Sequence, residues 1–369
     1  MVRSRWHARA ASFVATIGVL ALITACSGGG SSNAASSSAG NPSADVAVKA
    51  ARHFLDTYVA DDGSVHRRDQ GDDIVSEGQS YALLLAQVAH DDAAFDRIWT
   101  WTSGHMLQPS GVVGSHASSG GSVDDSHSAA DADVLIAWAL LRSSGPASEA
   151  HHTAGRTLAN AILEHETISL PDGSLVMAAG DWATGTPATL NPSYWAVGAL
   201  ADLSRLTGDA RWTALAQSSV RISNELTSNG ATLPPDWARV DGARVTATPA
   251  PNGQAPDVRY SLDAQRSVVW FATADDSAKP LAQAWASLLS DDSRAGCMAL
   301  GVDGAVIDGR THPLPLIAAA SAQAAAGHDD QRDRRLAAAD ALAQQQPTYY
   351  GDAWVALGRA LLTTDLLRA

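Results

Sequence analysis

From Ser43 to the end of the chain, apolar residues recur with the spacing of helices that each bury one face. The spacing predicts twelve helices, at about 43–60, 76–89, 91–103, 129–143, 147–165, 191–205, 209–226, 261–274, 276–290, 313–326, 330–345 and 350–366. Residues 129–143 show the pattern well: Val134, Leu135, Trp138 and Leu141 stand at i, i+1, i+4 and i+7. Ser76 followed by Gln79 reads as a capping box. Asn191 before Pro192 suits an N-cap and first helical position. Three stretches, 104–128, 166–190 and 227–260, break the helical period and are rich in Gly, Pro, Ser and Asp. Within them, 168–178 reads as a small hairpin turning at Pro171-Asp172-Gly173. Helix pairs alternating with long loops suggest an all-α fold, an (α/α)6 barrel whose long loops build one rim. An open stack of helix pairs fits the same periodicity.

The first 42 residues read differently. Arg3, Arg5 and Arg9 precede a short apolar run, Phe13 to Thr24, too short to span a membrane. It ends in Ile23-Thr24-Ala25-Cys26, which resembles the bacterial lipobox. The expectation is a signal peptide over 1–25, acylation of Cys26, and a membrane attachment through that lipid alone. Residues 26–42, Gly- and Ser-rich, read as a flexible linker with a reach of roughly 22 Å, and 43–369 as the functional domain. Cys297, the one other cysteine, sits in an apolar stretch and reads as a core residue.

Composition narrows the function. The formal charge is −14, which argues against a nucleic-acid partner. Twelve His are present, but no metal-ligand spacing such as HExxH occurs, and no Gly-rich phosphate loop joins a strand to a helix. No metal and no cofactor are expected, and the domain is expected to act as a monomer. Eleven Trp stand against four Phe and six Tyr. Trp138, Trp195, Trp212 and Trp354 fall in predicted helices and read as core. Trp182 and Trp237 fall in loops, where an indole face can stack on a sugar ring.

Acidic residues stand near the start of three predicted helices: Glu77, the pair Asp131 and Asp133, and Asp263. Taken singly, each is accounted for by the helix dipole, which favours acids in the first turn. As inner helices of one ring running the same way, they would bring carboxylates from distant positions into one cleft. Glycoside hydrolysis needs such a set, a protonated carboxyl for the leaving oxygen and a carboxylate to activate water. A helix N-terminus favours the ionised form, so Glu77 as an acid requires desolvation or negative neighbours.

At these residues the chain resembles glycoside hydrolase family 8, which includes bacterial cellulases, lichenases, chitosanases and xylan-acting enzymes. The resemblance runs from about Asp45 to Leu366. Ser76-Glu77-Gly78-Gln79-Ser80-Tyr81 looks like the family's S-E-G-Q-x-Y segment, whose Glu is the general acid. Phe95-Asp96 with Trp99 and Trp101 continues that block. Ala129 to Ala137 looks like the signature A-[S/T]-D-[A/G]-D-x-x-I-A, which implies that Asp131 holds the sugar at the cleavage point. Asn191-Pro192-Ser193-Tyr194 matches a segment whose Tyr lines that subsite. Asp263-Ala264-Gln265-Arg266 resembles Y-D-A-x-R, implying Asp263 as general base with Arg266 beside it. Tyr349-Tyr350-Gly351 matches an aromatic pair before the last helix. The resemblance thus implies inverting hydrolysis of internal β-1,4 bonds in a glucan, with Glu77, Asp263 and Asp131 catalytic. Tyr194, Arg266, Trp182 and Tyr350 are the expected substrate-binding residues. Two departures stand out: Ala130 replaces the signature's Ser/Thr, and Leu262 replaces the Tyr before the base. They keep open a different β-glycan, chitosan or xylan among them, or a surface polysaccharide-binding lipoprotein without turnover.

Overall fold

The computed structural model describes residues 41–368, apart from 252, 254, 275 and 276. The expected signal peptide, Cys26 and nearly all of the linker lie outside the described residues. Asn41 and Pro42, read as the end of the linker, instead belong to the first helix. Asn41 caps it by accepting from the Ser43 N–H at 3.1 Å, and Pro42 takes a first-turn position where its missing N–H costs nothing.

Twelve α-helices follow: α1 Pro42–Tyr58, α2 Ser76–Ala89, α3 Asp92–His105, α4 Ala130–Arg142, α5 Ser148–His165 and α6 Val197–Thr207, then α7 Arg211–Leu226, α8 Leu262–Ala272, α9 Lys279–Leu288, α10 Pro313–Ala325, α11 Asp329–Gln345 and α12 Tyr349–Thr363. Each even-numbered helix packs on the next even-numbered one, and α12 packs back on α2, closing a ring of six. The odd-numbered helices pack outside that ring on their sequence neighbours. This is an (α/α)6 barrel, and the open stack is excluded by the α12–α2 contact.

Burial follows the same division. Helices α2, α4, α10 and α12 are buried almost all round, as a helix walled in on every side must be. Small residues let them approach: Gly358 of α12 faces Ile317 of α10, and a Cβ there would fall 2.6 Å from its side chain. The outer α1 buries only Ala47, Ala51, Phe54, Leu55 and Tyr58, a stripe at helical spacing. Trp138, Trp195, Trp212 and Trp354 are buried in the core, as is Cys297.

The rim contains more strand than the sequence suggests. β1 His66–Arg67, β2 Asp73–Val75, β3 Gly114–Ala117 and β4 Val123–Ser128 form an antiparallel sheet in that order. β5 Thr167–Ser169 pairs with β6 Leu175–Met177 as the expected hairpin, Thr167 opposite Met177. β7 Ala188–Leu190 pairs with β8 Trp237–Asp241, which pairs with β9 Arg244–Thr248. β10 Cys297–Leu300 pairs with β11 Val306–Thr311. These elements precede the inner helices and therefore lie at the end of the ring where those helices begin. At the opposite pole, Asn41 and Ser43 share a polar depression with Leu362 to Arg368, so the two ends of the described domain meet there.

Two local expectations are corrected. Ser76 and Gln79 form no capping box. Val75 is the N-cap without a side-chain bond, and the buried Ser76 hydroxyl has no partner. Gln79 instead ties the rim to the barrel, accepting from Val65 N at 2.7 Å and donating to Gly63 O at 3.2 Å and Thr102 Oγ1 at 2.7 Å. Asn191 does cap, accepting from Ser193 N at 3.0 Å, but the element is a 3₁₀ turn, Pro192–Tyr194. The α-helix restarts at Val197, after Trp195 leaves helical geometry with its indole N–H donating to Met177 O at 3.2 Å.

Candidate active site

Glu77, Asp131 and Asp263 are each the second residue of an inner helix, α2, α4 and α8. Cβ atoms tilt toward a helix N-terminus, so these three carboxyls reach one depth at the barrel mouth. Arg266, one turn into α8, is buried among them. Its Nη1 donates to Glu77 Oε2 at 3.1 Å, Asp131 Oδ2 at 2.6 Å and Tyr81 Oη at 3.3 Å. Its Nη2 donates to Asp263 Oδ1 at 3.0 Å and Ser193 Oγ at 2.8 Å. The guanidinium lies over the Tyr194 ring, 5.2 Å from its centroid, in a cation–π contact. Glu77, Asp131, Asp263 and Tyr194, four residues singled out in the sequence, therefore meet around a fifth, the cation Arg266.

Charge counting explains the protonation. Three carboxyls surround one guanidinium, and full ionisation would leave uncompensated negative charge in a desolvated site. Glu77 takes the consequence: burial pushes it up, Arg266 pulls it down, and the charges of Asp131 and Asp263 push it up again, to about 7. A quarter of its side-chain surface faces the cleft, while protein packs closely around the rest. Asp131 is also raised, by burial first and against the pull of Arg266. Its Oδ1 is buried and has no hydrogen-bond partner among the described residues. Asp263 is more open, with 35 % of its side chain exposed. Because one guanidinium bridges Glu77 and Asp263, their bonded oxygens stand roughly 8 Å apart at most, a limit that admits both the about 5–5.5 Å of retaining pairs and the lower part of the about 6.5–9.5 Å of inverting ones.

A second carboxyl pair lies below. Asp133 is buried and accepts from Val113 N at 3.1 and 3.2 Å. It faces Glu166, also buried, neither of whose oxygens makes a well-formed hydrogen bond. Burial first, and then the charge of Glu166, raise Asp133 well above the usual carboxylate range. Burial pushes Glu166 up to about 8.

Aromatic side chains form the walls. Tyr350 is half-buried beside Tyr81 and Trp354, its ring centroid 6.4 Å from each, and 5.9 Å from that of His312. The His312 ring caps α10, Nδ1 accepting from Leu314 N at 3.1 Å, and burial lowers its pKa to about 4. Across the mouth, Trp237 meets Tyr194 edge-on at 6.2 Å. The turn 178–183 packs beside these two and leaves Trp182 43 % exposed on the rim, outside the Arg266 cluster. Gly180 permits that turn, since a Cβ there would fall 2.3 Å from Ser128 O. Among the described residues, no group of three His, Cys, Asp or Glu side chains is arranged to hold a metal ion.

The two departures have structural correlates. Ala130 is fully buried, its N–H donating to Ala179 O at 3.1 Å, and it offers no hydroxyl to Asp131. Leu262 is half-buried against the core. Two residues earlier, the Tyr260 hydroxyl is buried without a partner.

A sequence profile of the glycosyl hydrolases family 8 matches residues 28–358. The chain belongs to that family. Among its relatives is Endoglucanase A of Acetivibrio thermocellus, 31% identical over 301 residues, which are 76% of this chain and 59% of that protein. Another is an endoglucanase of Escherichia coli strain K12, 30% identical over 235 residues, 61% of this chain and 62% of that protein. The matched region thus spans about six tenths of the length of these relatives. A family 8 endo-β-1,4-glucanase from an Achatina fulica gut metagenomic library superposes with a TM-score of 0.69 at 25% identity, covering 84% of this chain and 95% of that one. A β-1,3-1,4-glucanase from Paenibacillus sp. X4 gives 0.75 at 21% identity over 86% and 91%, a likeness of fold.

The sequence did not single out Asp236 or Glu166. Asp236 bonds to residues 25 and 28 positions away, and Glu166, the C-cap of α5, faces Asp133 in α4. No local motif marks either. Trp237, the neighbour of Asp236, was the one usable signal.

Proposed function

We propose that this family 8 chain hydrolyses internal β-1,4 bonds of a glucan with inversion at the anomeric carbon. Glu77 donates its proton to the glycosidic oxygen as the bond to the anomeric carbon breaks. Asp263 accepts a proton from the water that attacks the opposite face. Asp131 holds the sugar between them, with Arg266 fixing its Oδ2. Tyr194 and Arg266 orient sugar and water, and Tyr350 and Trp182 supply apolar faces for flanking rings. The observation that carries this reading is the single guanidinium bridging three carboxyls of which Glu77 is pushed up to about 7. It supports one group kept as an acid beside another kept as a base, the division of labour that inversion needs. The relatives' names, endoglucanase and endo-β-1,4-glucanase, support the substrate.

The test is the anomer first formed from a β-glucan, followed by NMR. An α-configured initial product is expected, and a β-configured one overturns inversion. Glu77→Gln should retain the fold and lose turnover. Near wild-type release of reducing ends from that variant would make Glu77 structural.

The same reading places the domain outside the cytoplasm, lipid-anchored through Cys26 and active as a monomer. The lipobox-like Ile23-Thr24-Ala25-Cys26 and the linker composition support the anchor. The complete carboxyl set within one chain supports the monomer. Cys26→Ser should abolish labelling by a radioactive fatty acid; labelling that persists refutes the anchor.

A further inference from the structure

Helix α8 carries Asp263, yet no side chain of its own first turn caps it. Ser261 holds the N-cap position, but its hydroxyl turns away and donates to Asp236 Oδ2 at 2.5 Å. Asp236 Oδ1 accepts from Ser261 N at 2.8 Å and from Ala264 N at 2.9 Å. One carboxylate from a distant rim segment thus takes both N–H groups that a capping box satisfies. These bonds bracket Asp263, which lies between Ser261 and Ala264 and whose carboxylate accepts from Arg266. Asp236 is itself fixed, buried and with its N–H donating to Arg259 O at 2.8 Å. Its neighbour Trp237 packs on Tyr194, so two adjacent residues set the helix of one candidate catalytic group and the wall opposite.

We propose that Asp236 is a positioning residue that caps α8 from outside the helix and thereby aims the Asp263 carboxylate at the attacking water. The proposal rests on the reading of Asp263 as the base. Burial and the charge of Asp263 push Asp236 up, to about 7, as expected for two carboxyls held side by side. The sugar-holding groups Asp131 and Tyr194 are carried by other elements. Loss of the Asp236 cap therefore disturbs turnover more than binding. Asn at 236 keeps an oxygen for both backbone N–H groups and an amide N–H that Ser261 Oγ can accept. Ala keeps none of these.

The experiment compares Asp236→Ala, Asp236→Asn and Ser261→Ala on cellohexaose and on β-cellobiosyl fluoride. Fluoride leaves without a proton, so that substrate masks defects of the acid and retains those of the base. Asp236→Ala should lose about 100-fold in kcat with KM within about threefold, on both substrates. Asp236→Asn should recover to within about fivefold of wild type, and Ser261→Ala should fall between, carrying the test should the Ala variant not fold. A wild-type kcat in Asp236→Ala overturns the proposal. So does a loss that fluoride repairs, as it should in Glu77→Gln, or an Asn variant no better than Ala. Asp263→Asn runs alongside: if it hydrolyses the fluoride at the wild-type rate, the base assignment itself fails. If it is inactive while Asp236→Ala is normal, only the positioning role fails.

Discussion

Replacing Arg266 by Met tests the electrostatic account of the site most directly. The guanidinium is buried and donates to Glu77, Asp131 and Asp263 within 3.1 Å. Met approximates the aliphatic stem and removes the charge. Three carboxyls then face one another, and breaking a buried ion pair from one side costs about 3–5 kcal/mol. The domain Gly40–Ala369 has 330 residues. An unfolding entropy of about 2 cal/mol/K per residue converts that cost into roughly 4–7 °C of melting temperature. The sign with pH follows from linkage. Without the cation the carboxyls bind protons more tightly in the folded state than in the unfolded one. That contribution is full below the unfolded carboxyl values and is lost as pH rises through the raised folded ones. The deficit should therefore be largest at pH 8 and small at pH 4.5, as calorimetric scans at the two values would measure. An equal deficit at both, or one under about 1 °C at pH 8, would refute the argument that Arg266 is there to balance charge.

Three further outcomes are expected. With Glu77 pushed up to about 7 and proposed as the acid, kcat/KM should fall about tenfold per pH unit above that point; a profile flat to pH 9 sinks the assignment. Glu166 binds its proton up to about pH 8 when folded but only to its ordinary 4.5 when unfolded. Stability should then drain away as pH rises between those values, and Glu166→Gln should flatten the decline by at least about 3 °C in melting scans. Trp182→Ala should raise KM for cellohexaose about fivefold, the equivalent of about 1 kcal/mol of stacking, and leave kcat unchanged; an unchanged KM removes Trp182 from the binding surface.

The barrel was legible because twelve segments keep helical spacing long enough to outweigh local noise, and the inner ones are too apolar for a surface position. The candidate site was legible where its residues lie inside short local patterns: Glu77 in its SEGQSY segment, Asp131 in AADAD, Asp263 and Arg266 one turn apart. What stayed hidden depends on pairing across the fold. The rim strands are two to six residues long, and β3 and β4, which pair with each other, lie in polar, Gly-containing sequence without the apolar alternation that marks a strand. Ser76 and Gln79 have capping-box spacing, but the buried rim offered Gln79 three better-placed partners, and tertiary demand overrode the local motif. Asp236 shows the converse, a helix cap with no local trace because it belongs to a different segment.

Both ends of the described domain meet at the pole away from the carboxyls. The barrel is in this respect like a bulb wired at its base. Whatever is joined there, a leash, a second module or a reporter, approaches from behind and away from the carboxyls. A long β-glucan, the substrate proposed above, would then reach the mouth without passing the point of attachment.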